Sequence, residues 1–450
     1  MTIFQRGRDA VRNVLKWMFR PILRPLRDQF LSPAIHQFLK VNAHVEYSLH
    51  ELHTLVKISD ETILGLTLAQ NLPPRGSTRL RGYPKKIYVD VRCLQMPAYN
   101  YRGIGYHSAG VLRHAKEFLG DSIRLIGLTD SLYPVVPEEF SHLCDEYRDR
   151  VPLDVGPALV LHLSPMTHCC SFLAQMFLQP ELFHVAIFYD TIPLQEPHRY
   201  LPTPRRHREY LNSMIWLKMV DCFCAISKTA ATQLENIIGP ASDRMAVTGA
   251  CLRESFQDID FSMPLPGPFA SRKYFLVIGS EDERKNVEIV LASHARCEVS
   301  IGLIIAGHHS PERLCELQDR YTEAGGHLKN LYFAQSTSDG QMAMLYHHAL
   351  VTVVPSRAEG FSLPIIEALY CDCPVILSDI SAHRELVEFE DALFQFDDGV
   401  TLTSLFNRFL NESPLRGEWL AIQKQKSLVF DENAVARKVW EHVGSFLPAR

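Results

Sequence analysis

A pair of glutamates, Glu359 and Glu367, brackets the segment of this 450-residue chain whose residue types best suit chemistry. Seven residues separate the two, and Pro364 among them falls where the first turn of a helix would start, a position at which its missing N–H costs nothing. Unpaired backbone N–H groups and the partial positive charge of a helix start would favour an anion such as a diphosphate. The amides of that turn belong to Gly360, Phe361, Ser362 and Leu363.

The two carboxylates indicate what lies on either side of that anion. A carboxylate repels phosphate but accepts hydrogen bonds from hydroxyl groups. We therefore expect Glu359 and Glu367 to contact hydroxyl groups, those of a sugar at one end and those of a ribose at the other. The alternative is that Glu359 caps the helix and Glu367 is an ordinary exposed helical residue.

A loop with Arg284 and Lys285 offers charge of the opposite sign. In the segment YFLVIGSEDERKNVEIVLASHA, a strand is expected to end at Gly279 and an amphipathic helix to begin at Asn286. A lysine at the carboxyl end of a strand, facing a cleft between domains, would neutralise a diphosphate and stabilise it as a leaving group. Taken alone, the pair is also typical of a solvated basic loop.

The elements that must position these residues follow a repeated order. From residue 86 onward, short apolar or β-branched runs alternate with helix-length segments, which predicts parallel strands joined by right-handed crossovers. Three prolines and a glycine at 262–273 divide the series into two. We predict an α/β fold with two doubly wound, Rossmann-like domains and a ligand site in the cleft between them.

The domain bounds follow from the same pattern. Residues 1–84 are predicted to be a helical extension and linker, 85–265 and 266–430 the two Rossmann-like domains, and 431–450 a C-terminal helix that packs back on the first domain. Residues 1–30 mix basic and large apolar side chains, which suits a helix lying on an anionic membrane. A helix packed on the protein itself or on a partner fits them equally well.

Composition excludes several classes of protein. The chain has 46 Lys and Arg against 51 Asp and Glu, a formal net charge of -5, so no general field would hold nucleic acid. No apolar stretch approaches the ~20 residues that span a bilayer, and no secretory signal starts the chain, so we expect a cytoplasmic location. The eleven cysteines show no CxxC spacing, and we predict no catalytic metal and no cofactor.

Several segments together resemble a known family. GSEDERKN, IIAG and PSRAEGFSLPIIEALYCDCPVILSD resemble the donor half of family 4 glycosyltransferases, the retaining enzymes of GT-B fold. YVDVRCLQMPAYNYRGIGYHSAGVL, FYDTIPLQEPHRYL and DCFCAISKTAATQL are similar to bacterial, mannosyltransferase-like members that build surface polysaccharides. The resemblance spans roughly residues 86 to 400, which leaves the N-terminal extension unassigned.

The resemblance implies a role for each half of the chain. Residues 266–430 would bind the donor nucleotide, with Glu359 facing the transferred sugar and Glu367 the ribose. Lys285, helped by Arg284, would bind the diphosphate. Gly279 ends the strand before that loop, and the amides of Gly360, Phe361, Ser362 and Leu363 would complete the phosphate site.

Residues 85–265 would form the acceptor side. Gly103 and Gly105 would let the loop after the first strand approach the donor phosphates and the acceptor closely. Asp190 lies where the family places an acidic residue near the reacting centre, although a turn or helix cap is an alternative. Relatives often carry Arg where this chain has Ser280 and His where it has Tyr189, a phenol that does not act as a base near neutral pH.

The predicted activity is therefore a sugar-nucleotide-dependent, metal-independent transfer of a hexose, with mannose the leading choice, to a hydroxyl of a glycan or lipid-linked glycan. An alternative is a non-catalytic GT-B scaffold of a polysaccharide assembly complex, which Ser280 and Tyr189 favour slightly. A third is a different sugar-nucleotide reaction, such as epimerisation. Predicted partners are the sugar nucleotide, the glycan acceptor, and an anionic surface on the inner face of the membrane or a protein bound through residues 1–70; nucleic acid is not expected.

Overall fold

The computed structural model describes residues 82–448, apart from 153–155, 169–172, 257–258, 260, 262–264, 266–271, 298–299, 413 and 426–429. All of the described residues belong to one compact unit, Gly65–Arg450. The predicted extension, with its membrane or partner helix at 1–30, lies outside the described residues except for its last three positions.

Seven parallel strands form the first sheet, in the order β3-β2-β1-β4-β5-β6-β7. The register places Ile87 of β1 opposite Leu125 on one side and Leu159 on the other. Both central strands that follow in the order, β4 and β5, are buried along their whole length, as expected when helices cover both faces of a parallel sheet. The strands are β1 (Lys86–Asp90), β2 (Arg124–Leu128), β3 (Glu146–Arg148), β4 (Ala158–His162), β5 (Leu182–Phe188), β6 (Cys222–Ala225) and β7 (Met245–Val247).

Six parallel strands form the second sheet, in the order β10-β9-β8-β11-β12-β13. Phe275 of β8 pairs with Leu303 of β9 on one side and with Val351 of β11 on the other. β8 therefore lies at the centre of the sheet, between these two strands. These strands are β8 (Tyr274–Ile278), β9 (Gly302–Ala306), β10 (Leu331–Ala334), β11 (Val351–Val354), β12 (Val375–Ser378) and β13 (Leu393–Phe394).

Helices cover the two sheets. In the first domain they are α1 (Arg92–Gln95), α2 (Gly103–Arg113), α3 (Ala115–Leu119), α4 (Ala174–Phe177), α5 (Ile192–Gln195), α6 (Pro197–Tyr200), α7 (Pro204–Leu217) and α8 (Lys228–Ile238). In the second they are α9 (Val287–His294), α10 (Pro311–Glu323), α11 (Asp339–His348), α12 (Leu363–Tyr370), α13 (Ser381–Leu386), α14 (Gly399–Asn411) and α15 (Leu415–Gln423). No helix in the described ranges is long and apolar enough to cross a membrane.

The last helix, α16 (Glu432–Gly444), leaves the second domain and packs on α2 and α3 of the first. Trp440 is 1% exposed, and its indole N–H donates to the carbonyl of Val111 at 2.8 Å. Glu432, the first residue of α16, forms an ion pair with Arg113, the last residue of α2. The chain therefore crosses between the domains twice.

The predicted fold class, two doubly wound parallel sheets, is confirmed, but the sequence pattern missed two strands, β3 and β13. They are three and two residues long and lie at the edges of their sheets. β3 reads Glu-Tyr-Arg and is only partly buried, so it lacks the apolar run that identifies a buried strand.

Candidate functional site

A cleft of about 560 Å³ opens where the carboxyl ends of the strands of both sheets face each other. The first domain contributes residues that follow β1, β5, β6 and β7, and the second contributes residues that follow β8, β9 and β11. Nine of the twelve predicted site residues line it: Gly103, Asp190, Arg284, Lys285, Glu359, Gly360, Phe361, Ser362 and Leu363. Gly105, Gly279 and Glu367 do not.

The turn before α12 lines the cleft with open amides. α12 begins at Leu363 with Pro364 in its first turn, and the N-cap residue Ser362 makes no capping hydrogen bond. Ser362 has a left-handed backbone, φ 97°, which turns the chain sharply into the helix. In the part of the chain that the structure describes, no hydrogen bond uses the amides of residues 360–363 as donors. These amides therefore remain available to an anion in the cleft.

Two cations converge on the carboxylate of Glu359. Lys285 Nζ lies 2.7 Å from its Oε1, and Arg284 Nη1 lies 2.7 Å from its Oε2. Burial would by itself raise the pKa of Glu359, but the charges of Lys285 and Arg284 outweigh it and hold that pKa well below the usual range. Glu359 is therefore ionised at the floor of the cleft.

The two cations differ in how much of their hydrogen-bonding capacity is used. Arg284 donates to Glu359, to the carboxylate of Asp282 through Nε at 3.3 Å, and to the carbonyl of Ala358. Lys285 has three N–H donors and its ammonium contacts Glu359. Arg284 is thus tied to its own loop and to the backbone next to Glu359, whereas Lys285 is held by a single contact among the described residues, and each cation keeps N–H donors for a ligand.

Glu367 is not among the residues that line the cleft and belongs to a largely buried polar cluster. Its Oε1 accepts from Arg253 Nη2 at 2.9 Å, and its Oε2 accepts from the hydroxyl of Tyr346 at 2.9 Å. Arg253 also pairs with Asp339 at the start of α11. The exposed alternative for Glu367 is wrong, because its side chain is 8% exposed; its contact with a ribose stays a prediction.

Asp190 also lines the cleft and comes close to residues 360–363, which we call the phosphate turn after the ligand that the sequence predicts there. Its Oδ1 accepts from the amide of Ile192 at 2.9 Å, so it also serves as the turn cap considered above. A methyl group added at Gly360 would lie 2.9 Å from its Oδ2. Burial, more than the neighbouring charge of Glu359, raises the pKa of Asp190 above its ordinary value.

The glycines act in different ways. A methyl group at Gly105 would lie 2.0 Å from the carbonyl oxygen of Asn100, so Gly105 permits the tight packing of α2 against the preceding loop. At Gly103 the nearest atom would be Leu363 Cδ1, 3.0 Å away across the cleft. Gly279 makes room for Val287 of α9. Of these three glycines, Gly103 is the one that lines the cleft.

Two departures from the family pattern also lie at the cleft. Tyr189 lines it, and burial raises the pKa of its phenol well above the ordinary value, so it is no base near neutral pH. Ser280, where the family resemblance leads us to expect Arg, lines the cleft as well.

Sequence reasoning missed Tyr200 and Asp282, which join the domains. The hydroxyl of Tyr200 lies 2.8 Å from Asp282 Oδ1, and the neighbouring Arg199 pairs with Glu283. The sequence gives little indication of this contact. Asp282 lies in the same loop as Lys285, but no residue near Tyr200 in the chain indicates that the two meet.

Further contacts hold the domains together beside the phosphate turn. The hydroxyl of Ser227 donates to the carbonyl of Gly360 at 2.6 Å and accepts from the amide of Ala230, as the N-cap of α8. Glu385 of the second domain accepts from the amides of Lys228 and Thr229 at 2.7 and 2.6 Å. A carboxylate at a helix start is stabilised by the open amides and the partial positive charge there. Among the described residues, no group of His, Cys, Asp and Glu side chains is placed to hold a metal ion.

Comparison with known proteins supports the resemblance seen in the sequence. Residues 259–425 match the family model described as glycosyl transferases group 1. The serotype-specific mannosyltransferase WbdA of Escherichia coli is 26% identical over 255 residues, which cover 55% of this chain and 31% of WbdA. The chain thus spans about a third of the length of this curated relative.

Solved structures share the two-domain architecture. Sucrose-phosphate synthase from Thermosynechococcus elongatus is 18% identical with a TM-score of 0.62, covering 80% of this chain and 98% of its own. HepE of Anabaena, solved in complex with UDP, is 15% identical with a TM-score of 0.56, covering 80% of this chain and all of its own. At this identity the likeness shows the fold. The chain is a protein of GT-B fold whose second domain matches glycosyl transferases group 1, and its sequence is similar to those of bacterial mannosyltransferases.

Proposed function

We propose that the chain is a retaining glycosyltransferase that moves a hexose from a nucleoside-diphosphate sugar to a hydroxyl of a glycan or lipid-linked glycan. The observation that carries this proposal is the position of Lys285 and Glu359 next to the open amides of residues 360–363, in one cleft between two domains. The ammonium and the amides suit a diphosphate, and the ionised carboxylate suits sugar hydroxyl groups.

The chemistry requires positioning and charge stabilisation. The bond between the anomeric carbon and the phosphate oxygen breaks while the acceptor oxygen bonds to the same face of that carbon, and the leaving phosphate oxygen takes the acceptor's proton. Lys285 and the amides of residues 360–363 would stabilise the charge that develops on the phosphate. Glu359 would orient the sugar so that its anomeric carbon faces the acceptor hydroxyl. No metal ion is required for these steps.

Mannose is the proposed sugar because the curated relatives that match the chain are mannosyltransferases. GDP-mannose is the first donor to test. We further propose a peripheral position at the inner face of the membrane, where residues 1–30, which lie outside the described part of the chain, would contact anionic lipid.

The test is sugar transfer by the full chain, with UDP-, GDP- and dTDP-sugars and mannose-terminated acceptors, followed by mass spectrometry of the products. Glu359→Gln should abolish transfer and leave the melting temperature within a few degrees of the parent value. The matched control is Glu323→Gln at the exposed end of α10, which should transfer sugar at the parent rate. Transfer that survives Glu359→Gln contradicts the proposal, and a chain that binds none of the nucleotides favours the scaffold alternative.

A further inference from the structure

A second cavity of about 250 Å³ lies in the first domain beside the cleft. The two cavities share Ile104, Tyr189 and Asp190 as common walls. Asp190 therefore separates the space next to the phosphate turn from this pocket, which we call the tyrosine pocket because Tyr99, Tyr189, Tyr200 and Tyr210 line it.

The walls of the tyrosine pocket are aromatic and rich in hydroxyl groups. Besides its tyrosines, it is lined by Ser164, Thr167 and His168. Burial lowers the pKa of His168 to about 3, so this imidazole is neutral. Aromatic rings offer flat apolar faces, and hydroxyl groups both donate and accept hydrogen bonds. Such a surface matches a sugar ring, which has C–H faces and a rim of hydroxyl groups.

Charge argues against a phosphate in this pocket. Of the described residues that line it, the acids are Asp190 and Glu209, and the cation is Arg206, which is exposed. Glu209 is paired with Arg205 at 2.9 Å. With carboxylates in its wall and no buried cation, the tyrosine pocket favours a neutral ligand with hydroxyl groups to donate.

Two buried polar groups in the walls of the tyrosine pocket make no hydrogen bond with the described residues. The hydroxyl of Tyr210 and Nε2 of His168 are buried and have no hydrogen-bond partner in the described part of the chain. The hydroxyl of Thr167 donates to the carbonyl of Ser164 at 2.9 Å, so His168 Nδ1–H donates to Thr167 and leaves Nε2 as an acceptor. Buried polar groups without partners are costly, which makes a ligand's hydroxyl groups favourable here.

We propose that the tyrosine pocket binds one uncharged sugar ring of the acceptor, with an acceptor hydroxyl directed past Asp190 toward the phosphate turn. This inference rests on the proposed function, because the bound ring is taken to be the acceptor. A volume of about 250 Å³ lies below the ~300–1,000 Å³ typical of pockets for larger ligands, so it suits a single ring. The substrate class is then a glycan with a neutral terminal sugar, and not a phosphorylated head group.

The test is saturation-transfer NMR on the full chain, with methyl α-mannopyranoside as the neutral probe and mannose 6-phosphate as the anionic probe. The parent protein should give a signal with the neutral probe at least 5-fold stronger than with the phosphorylated one. Met166→Trp fills the tyrosine pocket from its partly buried loop and should reduce the neutral signal at least 5-fold. Val400→Trp adds the same bulk at an exposed position of α14 and should leave the signal unchanged.

Tyr210→Phe is the second variant, because it keeps the ring and removes a hydroxyl that has no partner among the described residues. The melting temperature should not fall, while the neutral signal should fall at least 2-fold. A neutral signal that survives both Met166→Trp and Tyr210→Phe, or a stronger signal with the phosphorylated probe, overturns the inference. GDP and UDP binding, measured by calorimetry on the same samples, reports separately on the proposed function, since the pocket variants leave Lys285 and the phosphate turn intact.

Discussion

Lys285 Nζ lies 2.7 Å from Glu359 Oε1, although 74 positions separate the two residues along the chain. Lys285 follows β8 and Glu359 follows β11, and these strands are neighbours in the second sheet. Parallel neighbours bring their carboxyl ends to one edge, so the loops that follow them meet there. The contact joins a cation with spare donors to an acid that stays ionised, beside open amides.

Removing that cation should weaken nucleotide binding and spare the fold. In Lys285→Met, Arg284 still neutralises Glu359, so we expect a modest loss of melting temperature. The affinity for GDP or UDP, measured by calorimetry, should fall at least 10-fold, because the variant lacks the ammonium that we propose contacts the diphosphate. Lys424→Met removes an exposed lysine that pairs with Asp372 and should leave nucleotide affinity unchanged. Equal affinities in the two variants would contradict the assignment of Lys285.

Asp190→Asn should stabilise the protein at neutral pH while impairing transfer. The pKa of Asp190 is raised in the folded state above the ordinary value of 3.8, so its contribution to stability is present below pH 3.8 and is lost as the pH rises through the folded-state pKa. The asparagine side chain would keep an acceptor for the amide of Ile192 and would escape that loss. The gain in melting temperature should therefore be larger at pH 7 than at pH 4, and a gain independent of pH would contradict this account.

Ser362→Gly should relieve strain at the phosphate turn. Ser362 has φ 97°, a region that glycine enters readily and serine rarely, and its buried hydroxyl has no hydrogen-bond partner among the described residues. We expect the free energy of unfolding to be about 1 kcal/mol higher in the variant. This is the net gain, because glycine also raises the entropy of the unfolded chain. Chemical denaturation measures this change. A loss of stability would show that the serine makes a favourable contact in solution.

Ser227→Ala tests the link between the domains. The hydroxyl of Ser227 caps α8 and also donates to the carbonyl of Gly360, whereas Ser310 caps α10 through its bond with the amide of Arg313. Each alanine variant should lose ~1 kcal/mol for the cap. Ser227→Ala should lose about a further 1 kcal/mol for the second bond and bind nucleotide more weakly. The same loss in both variants, measured by denaturant titration, would mean that the interdomain bond adds nothing.

Mild acid should destabilise the chain. Burial lowers the pKa of five histidines from 6.5 to between about 3 and about 4, so they are neutral in the folded state and take up protons on unfolding. Their contribution to the stability of the fold is present above pH 6.5 and is lost as the pH falls from 6.5 toward 4. The residues are His107, His162, His168, His294 and His383. Melting temperature should fall steadily across this window, His294→Gln should make the fall shallower, and a flat profile would refute the account.

Local patterns in the sequence were sufficient for the framework of the fold. Short apolar runs, separated by longer segments, predict eleven of the thirteen described strands, and the central ones are clearest because a strand buried on both faces must be apolar throughout. The helix start after residues 360–363 was also predicted, since Pro364 suits the first turn of a helix. The short strands β3 and β13 were not predicted, because their pairing with a neighbouring strand defines them and their own residues form no apolar run.

Tertiary structure alone decided the environment of several side chains. Glu367 is engaged by Arg253 and Tyr346, and Tyr200 meets Asp282 across the cleft, although nothing near these residues in the chain indicates a partner. The sequence by itself determined two parallel sheets and the position of the turn before α12, because periodicity and backbone chemistry act over a few residues. Which carboxylates face the cleft, and which are buried in ion pairs, depends on contacts between loops that lie far apart in sequence and on how closely the two domains approach.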